Sequence, residues 1–125
     1  MPTTDRDRAS RALGTDECLR LLGTAAIGRL AYTQAALPAV RPVSFTFDGD
    51  DVLIPVAARS SLLDAVRGAV VAFEADAYDG IDRTGWTVTV VGPSRVLAPV
   101  APEPGDCVIA VRLGLVRGWR TGLPA

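Results

Sequence analysis

The sequence predicts a mainly β domain, a small antiparallel barrel carrying two short helices, and three observations support that reading. Six or seven short β-patterned runs recur along the 125 residues, divided by Gly, Pro and Asp turns, a spacing that suits a closed all-β domain. Two of the runs alternate cleanly. In Val71–Asp76, Phe73 and Ala75 alternate with Glu74 and Asp76, and in Gly85–Val91, Trp86, Val88 and Val90 alternate with Thr87 and Thr89, so each run offers one apolar and one wetter face. Helix signals, by contrast, are confined to two short stretches that begin at Thr15 and Ser60, and no internal repeat is present.

The composition narrows the chemistry. Hydrophobic residues make up 49% and charged residues 22%, the balance of one globular, soluble domain, and no apolar run has the length of a membrane span. A formal net charge of -1 and a pI of about 5.3 leave no footprint for a nucleic-acid or membrane partner. The chain contains no His, no Lys and no Asn. That excludes a Ser/His/Asp triad, a His-based metal site, a Schiff-base lysine and a P-loop lysine, and no metal site is expected. Arg supplies all 13 positive charges, which coding bias explains without a functional demand. Cys18 and Cys107 stand far apart, in no metal-like spacing, and read as buried thiols of a cytosolic protein. Met1–Ser10 is polar and no apolar leader follows it, so a cytoplasmic location is expected.

In chain order, residues 1–14 are expected as a disordered tail and residues 15–125 as a single domain. The Arg and Asp residues of Met1–Arg11 leave almost no apolar surface to bury. Thr15 reads as a helix cap, with Asp16 and Glu17 well placed against the helix dipole, an apolar stripe of Cys18, Leu19, Leu21 and Leu22, and a stop at Gly23. Ala25–Tyr32 is the first strand, with Ile27, Arg29 and Ala31 on one side and Gly28, Leu30 and Tyr32 on the other; Gly28 marks a bulge or a close backbone approach. Gln34–Pro38 reads as a loop and Val40–Phe47 as a second strand, which Pro42 assigns to an edge or a bulge. Asp48–Asp51 turns into a third strand, Val52–Val56, closing a hairpin. Ser60 can cap a helix closed by Gly68; an anion can sit at its start, although capping alone accounts for the serines. Val71–Asp76 and Gly85–Val91 are expected to pair with each other. Gly92–Ser94 breaks or bulges the strand, Ala98–Asp106 is a proline-rich connection, and Cys107–Leu113 is the last long strand. Beyond it Trp119, between Arg117 and Arg120, either stacks on something planar or covers its own core.

These residues carry a resemblance. The helix at Cys18–Leu22, Gly28-Arg29-Leu30-Ala31, Pro38 with Arg41-Pro42-Val43-Ser44-Phe45, the Asp48-Gly49 turn, Val71–Asp76 and Gly85–Gly92, in that order, resemble the pyridoxamine 5′-phosphate oxidase-like flavin-binding split-barrel family. The resemblance implies a six- to seven-stranded antiparallel split barrel of Greek-key type, homodimeric, with FMN in a groove between the subunits. It implies that Arg41, Pro42, Val43 and Ser44 belong to the strand whose backbone meets the flavin ring, and that Ser60 and Ser61 form the phosphate-binding turn. Trp86 and Trp119 fall, by the same resemblance, near the cofactor groove or the dimer interface. It names no catalytic acid or base.

The chain also departs from that family. Pro55 and Val56 stand where an Arg-Thr pair is usual, and Ser61 where a Lys is common, which removes two positive charges from a site for a phosphate. At about 1.5 to 3 kcal/mol for each lost charge-assisted bond, FMN weakens by roughly a hundredfold or more. Arg59, two residues before Ser61, is the residue placed to compensate. Three readings follow: a flavin-dependent oxidoreductase, a module that binds a planar ligand such as FMN, a deazaflavin or haem without turnover, and a dimeric interaction protein with no cofactor.

Overall fold

The computed structural model describes residues 10–97 and 106–122. Its spine is a long hairpin, β6 (Val70–Asp79) with β7 (Thr84–Leu97), paired continuously from Val70↔Pro93 to Asp79↔Thr84. The two runs expected to pair do so, and Phe73, Ala75, Val88 and Val90 turn inward with no exposed surface. Around the hairpin lie β1 (Ser10–Ala12), β2 (Ile27–Gln34), β3 (Leu37–Ser44), β4 (Thr46–Phe47), β5 (Asp51–Ala57), β8 (Asp106–Arg112) and β9 (Leu115–Gly122), with helices α1 (Thr15–Leu22) and α2 (Leu62–Val66). All strand pairs are antiparallel.

Two sheets share β7. The first runs β3–β2–β6–β7–β9–β1 and the second β4–β5–β8–β7, because β7 pairs with β9 up to Val91, with β6 up to Pro93, and with β8 from Ser94 to Leu97. The corner falls at Gly92. A Cβ there would strike the Arg112 carbonyl oxygen, so β7 can pass β8 at this point only as glycine. The expected break at Gly92–Ser94 is therefore a change of partner within one strand. Chain passage in the other direction occurs at Phe45, between β3 and β4, where its N–H donates to the Ala26 carbonyl at 3.1 Å.

The core fills the space between the sheets. Leu30, Phe73, Val88 and Val90 face Val52, Ile54, Ile109 and Val111, and α1 and α2 close the ends with Cys18, Leu22, Leu62 and Val66, each at most 1% exposed. Phe45 meets Phe73 edge to face, ring centroids 4.6 Å apart. Gly28 is the close approach that its place in a strand implies: a Cβ would lie 2.6 Å from the Glu74 carbonyl oxygen and would strike the Phe73 ring. Pro42 lies in β3, an edge strand, where its missing N–H costs no ladder bond.

Four expectations change. The tail is ordered from Ser10 onward, where β1 pairs with β9 and the Leu13 N–H donates to the Gly118 carbonyl at 2.9 Å; residues 1–9 lie outside the described residues. Gly14, not Thr15, is the cap residue of α1, with no side-chain cap bond. The loop at Gln34–Pro38 is a two-residue turn, Gln34 pairing directly with Leu37, with Ala35 and Ala36 at φ of 51° and 65°. Such a turn normally uses Asn or Gly, and the alanines gave no signal for it. Finally, Leu115–Gly122 is an eight-residue strand paired with β7 along its whole length, since the departure of β7 toward β8 starts only past Val91. The proline-rich connection, residues 98–105, lies outside the described residues.

Candidate functional site

The short length of β4 creates the site. β4 covers β5 only at Val52 and Leu53, so the edge of β5 from Ile54 onward is open, and Pro55 is tolerated there because no neighbour needs its N–H. An outward-facing groove of about 400 Å³ follows this opening, with Ala26, Ser44, Phe45 and Thr46 on one side and Leu53, Pro55 and Val108 on the other. It sits at the seam where the chain crosses between the sheets. Its walls are mostly apolar, its side-chain polar groups are the Ser44 and Thr46 hydroxyls, and no titratable side chain lines it.

The residues expected at the site are distributed unevenly around this groove. Ser44 lines it, at the end of the strand that also carries Arg41, Pro42 and Val43; Val43 is half-buried, and Arg41 and Pro42 are exposed. Arg59, Ser60 and Ser61 follow the end of β5. Ala57, two residues or about 7 Å along the strand from Pro55, accepts from the Ser60 N–H at 3.0 Å. The Ser60 hydroxyl accepts from the Leu62 N–H at 3.2 Å, a local turn bond that ties the start of α2. α2 has only five residues, so its dipole is slight next to a guanidinium. Arg59 is exposed, and among the described residues it has no ion pair or hydrogen bond.

The two tryptophans do not share this groove. Trp86 is half-buried on the inner side of β7, opposite Ala77 and Arg120, and packs against the core. Trp119 points from the opposite side of the sheet, 40% exposed, beside a hollow of about 180 Å³ lined by Thr89, Val91, Leu115 and Arg117. From Ser44 on β3 to Trp119 on β9 the sheet is crossed through β2, β6 and β7, four strand spacings or about 19 Å. One cofactor ring does not span that within a protomer. Ala26, Phe45, Thr46, Leu53 and Val108 are the groove residues that sequence reading did not assign to the site. The sole signal was Pro55, a proline in a strand that otherwise reads as internal.

Charge is organised elsewhere. Asp51, 5% exposed, receives Arg95 through two bonds of 2.8 and 3.2 Å and Arg112 through one of 2.9 Å, and the bond from Arg95 holds its carboxyl below the usual aspartate range. On the outer face of the first sheet, Arg29 bridges Glu74 at 3.0 Å and Asp76 at 3.2 Å. Burial, together with the neighbouring Asp76, raises Glu74 above the usual glutamate range. Among the described residues no cluster of His, Cys, Asp and Glu fits a metal ion. No helix among them is long and apolar enough to cross a membrane.

The fold and the groove together define an antiparallel split barrel with an apolar opening at the seam between its sheets. Residues 14–115 match the model of the pyridoxamine 5′-phosphate oxidase family, and the chain belongs to that family, as the sequence motifs implied. It is 37% identical over 129 residues to the uncharacterized protein Rv0080 of Mycobacterium tuberculosis, covering 86% of this chain and 83% of the relative. Among solved structures it is similar to a FAD-binding protein from Mycobacterium smegmatis, with a TM-score of 0.76, 28% identity, and coverage of 90% of this chain and 98% of that one. A FAD-binding protein from Mesorhizobium loti superposes with a TM-score of 0.77 over 90% of this chain and 98% of its own; at 19% identity that likeness speaks for the fold.

Proposed function

We propose that the chain is a cytoplasmic, homodimeric flavin-binding split-barrel protein that acts as a flavin-dependent oxidoreductase with FMN. The observation that carries the reading is the apolar groove at the Ser44–Thr46 crossover, of a size and lining suited to a flat ring. The likeness to a FAD-binding relative supports a flavin and sets FAD beside FMN as the form to be tested. Leu53, Pro55 and Val108 would exclude water from the ring, and the Ser44 and Thr46 hydroxyls would orient its polar edge. Arg59, without an ion pair or hydrogen bond among the described residues and close to the end of β5, would meet the phosphate in place of the absent Arg and Lys. A bound flavin supplies the hydride or electron transfer; the protein supplies binding and orientation.

The test is titration with FMN and with FAD, read by quenching of flavin fluorescence and by the visible spectrum of the purified protein. Binding at micromolar concentration supports the reading, and no change up to millimolar flavin refutes it. Arg59→Ala is expected to weaken flavin roughly tenfold or more, and an unchanged affinity removes Arg59 from the site. One observation favours a second reading, a binding module without turnover: no acid or base lines the groove. Flavin that binds but is not reduced by nicotinamide or deazaflavin donors would select it. Haem ranks behind both, because the chain has no histidine to ligate the iron.

A further inference from the structure

The edges of β3 and β5 converge on the groove, and both are marked by proline. Along β3 the odd-numbered residues turn their backbone groups toward β2, because Gln34↔Leu37 closes the turn and the Phe45 N–H donates to the Ala26 carbonyl at 3.1 Å. Pro38, Val40, Pro42 and Ser44 therefore turn theirs away from β2, so both prolines of β3 fall where no ladder bond needs an N–H.

The alternation on β5 is fixed in the same way. Asp51 accepts from the Asp48 N–H at 3.2 Å, on the side of β4, and Asp50 accepts from the Leu113 N–H at 3.4 Å, on the side of β8. Counting by twos from Asp51, Leu53, Pro55 and Ala57 also present their backbone groups on the side of β4. Asp48 with Asp51 and Thr46 with Leu53 are thus the bonded pairs of the β4–β5 ladder, and the next in that register is Ser44 with Pro55. Proline cannot complete it. The Pro55 carbonyl can accept from the Ser44 N–H, but the Ser44 carbonyl finds no donor, and the two residues line the groove instead of pairing.

We propose that Pro55 holds the groove open, by removing the one N–H that would carry the ladder on to Ser44 and join the edge of β3 to that of β5. A residue with an N–H at position 55 would zip the two edges together at this pair and close the space that a flat ring needs. Pro55 is then a positioning residue: it sets the width of the groove through Ser44. The open pair also supplies the backbone chemistry of the groove, with the Ser44 N–H and the Ser44 and Pro55 carbonyls left to meet a ligand. The link to a cofactor rests on the flavin reading, whereas the pairing itself follows from the register alone.

Amide hydrogen exchange on the full chain, followed by NMR, tests the pairing, and the flavin titration tests its consequence. In the wild type the Ser44 amide is expected to exchange about tenfold or more faster than the Phe45 amide, which is bonded to Ala26. Pro55→Val keeps an apolar side chain of similar bulk and restores the N–H. In that variant the Ser44 amide and the amide introduced at position 55 are expected to be protected about tenfold or more, and FMN or FAD to bind about tenfold more weakly. Pro55→Ala is the second variant, and circular dichroism establishes that each is folded. A wild-type Ser44 amide as slow as that of Phe45 overturns the proposal, and so does a fast amide at position 55 in both variants. Protection at position 55 with unchanged flavin affinity overturns the positioning role. A wild type that binds neither FMN nor FAD overturns the flavin reading and that role with it, while exchange at Ser44 and position 55 still decides the pairing.

Discussion

The two charged clusters of this protein are opposites in stoichiometry and in setting. At Asp51 one buried carboxylate is held by two guanidiniums, and at Glu74 and Asp76 two half-exposed carboxylates share one guanidinium. Asp51 joins β5, β7 and β8 near the corner of β7, and its carboxyl is lowered first by the hydrogen bond from Arg95. Glu74 sits on a sheet face, and its carboxyl is raised first by burial and then by Asp76. The difference teaches that a cluster with cations in excess is a finished piece of structure, whereas one with carboxylates in excess still has an unmet electrostatic demand. The first serves the fold and the second faces outward.

Removing Asp51 is the strongest way to break that comparison. Asp51→Ala deletes three charge-assisted bonds, but the Arg95 and Arg112 side chains are 43% and 55% exposed and can hydrate, which moderates the cost. A loss of about 2 to 3 kcal/mol is expected, read as a lower urea midpoint at unchanged slope. The acid limb of the stability profile sharpens the point. Because the native pKa of Asp51 is depressed, its contribution is complete above the unfolded value of about 3.9 and disappears as pH falls through the native one. Asp51→Ala therefore flattens that limb, and an unaltered limb would mean that Asp51 is not what acid titrates.

Arg29→Ala is expected to act more weakly, since its ion pairs are exposed, and its effect should fade in acid as Glu74 protonates. Urea melts at neutral and at acid pH check both statements. Glu74→Gln should have the smallest effect. With a raised native pKa, Glu74 contributes stability below its unfolded value of about 4.3 that is lost as pH rises through the native one. Glu74→Gln is expected to remove that slope without lowering the urea midpoint at neutral pH.

The barrel was legible wherever alternation was clean. Phe73, Ala75, Val88 and Val90 point inward as the pattern required, and Gly28 and Pro42 mark a close approach and an edge for the reasons their chemistry supplies. Strands whose residues contradict their setting were hidden: β9 holds Gly118 and two arginines, and the β2–β3 turn is built from two alanines. At the candidate site, Ser44 and Phe45 were visible as family positions and Pro55 as a departure from them, but nothing assigned Ala26, Thr46, Leu53 or Val108 to the groove. They become neighbours only because the chain leaves one sheet at Phe45 and enters the other.

By itself the sequence determined the chemistry that is possible here: Arg as the sole cation, no histidine, and alternating runs that must bury one face. It also determined membership of the family, because the ordered motifs at Gly28, Pro42, Asp48, Glu74 and Trp86 survive without any coordinates. Tertiary structure alone decided which residues meet. The two tryptophans were separated by strand parity, since a shift of one residue in register turns a side chain to the other face. Arg117 and Glu74, more than forty residues apart in sequence, were set on either side of β7 by its separate pairings with β6 and β9, a distance across which no local pattern carries information.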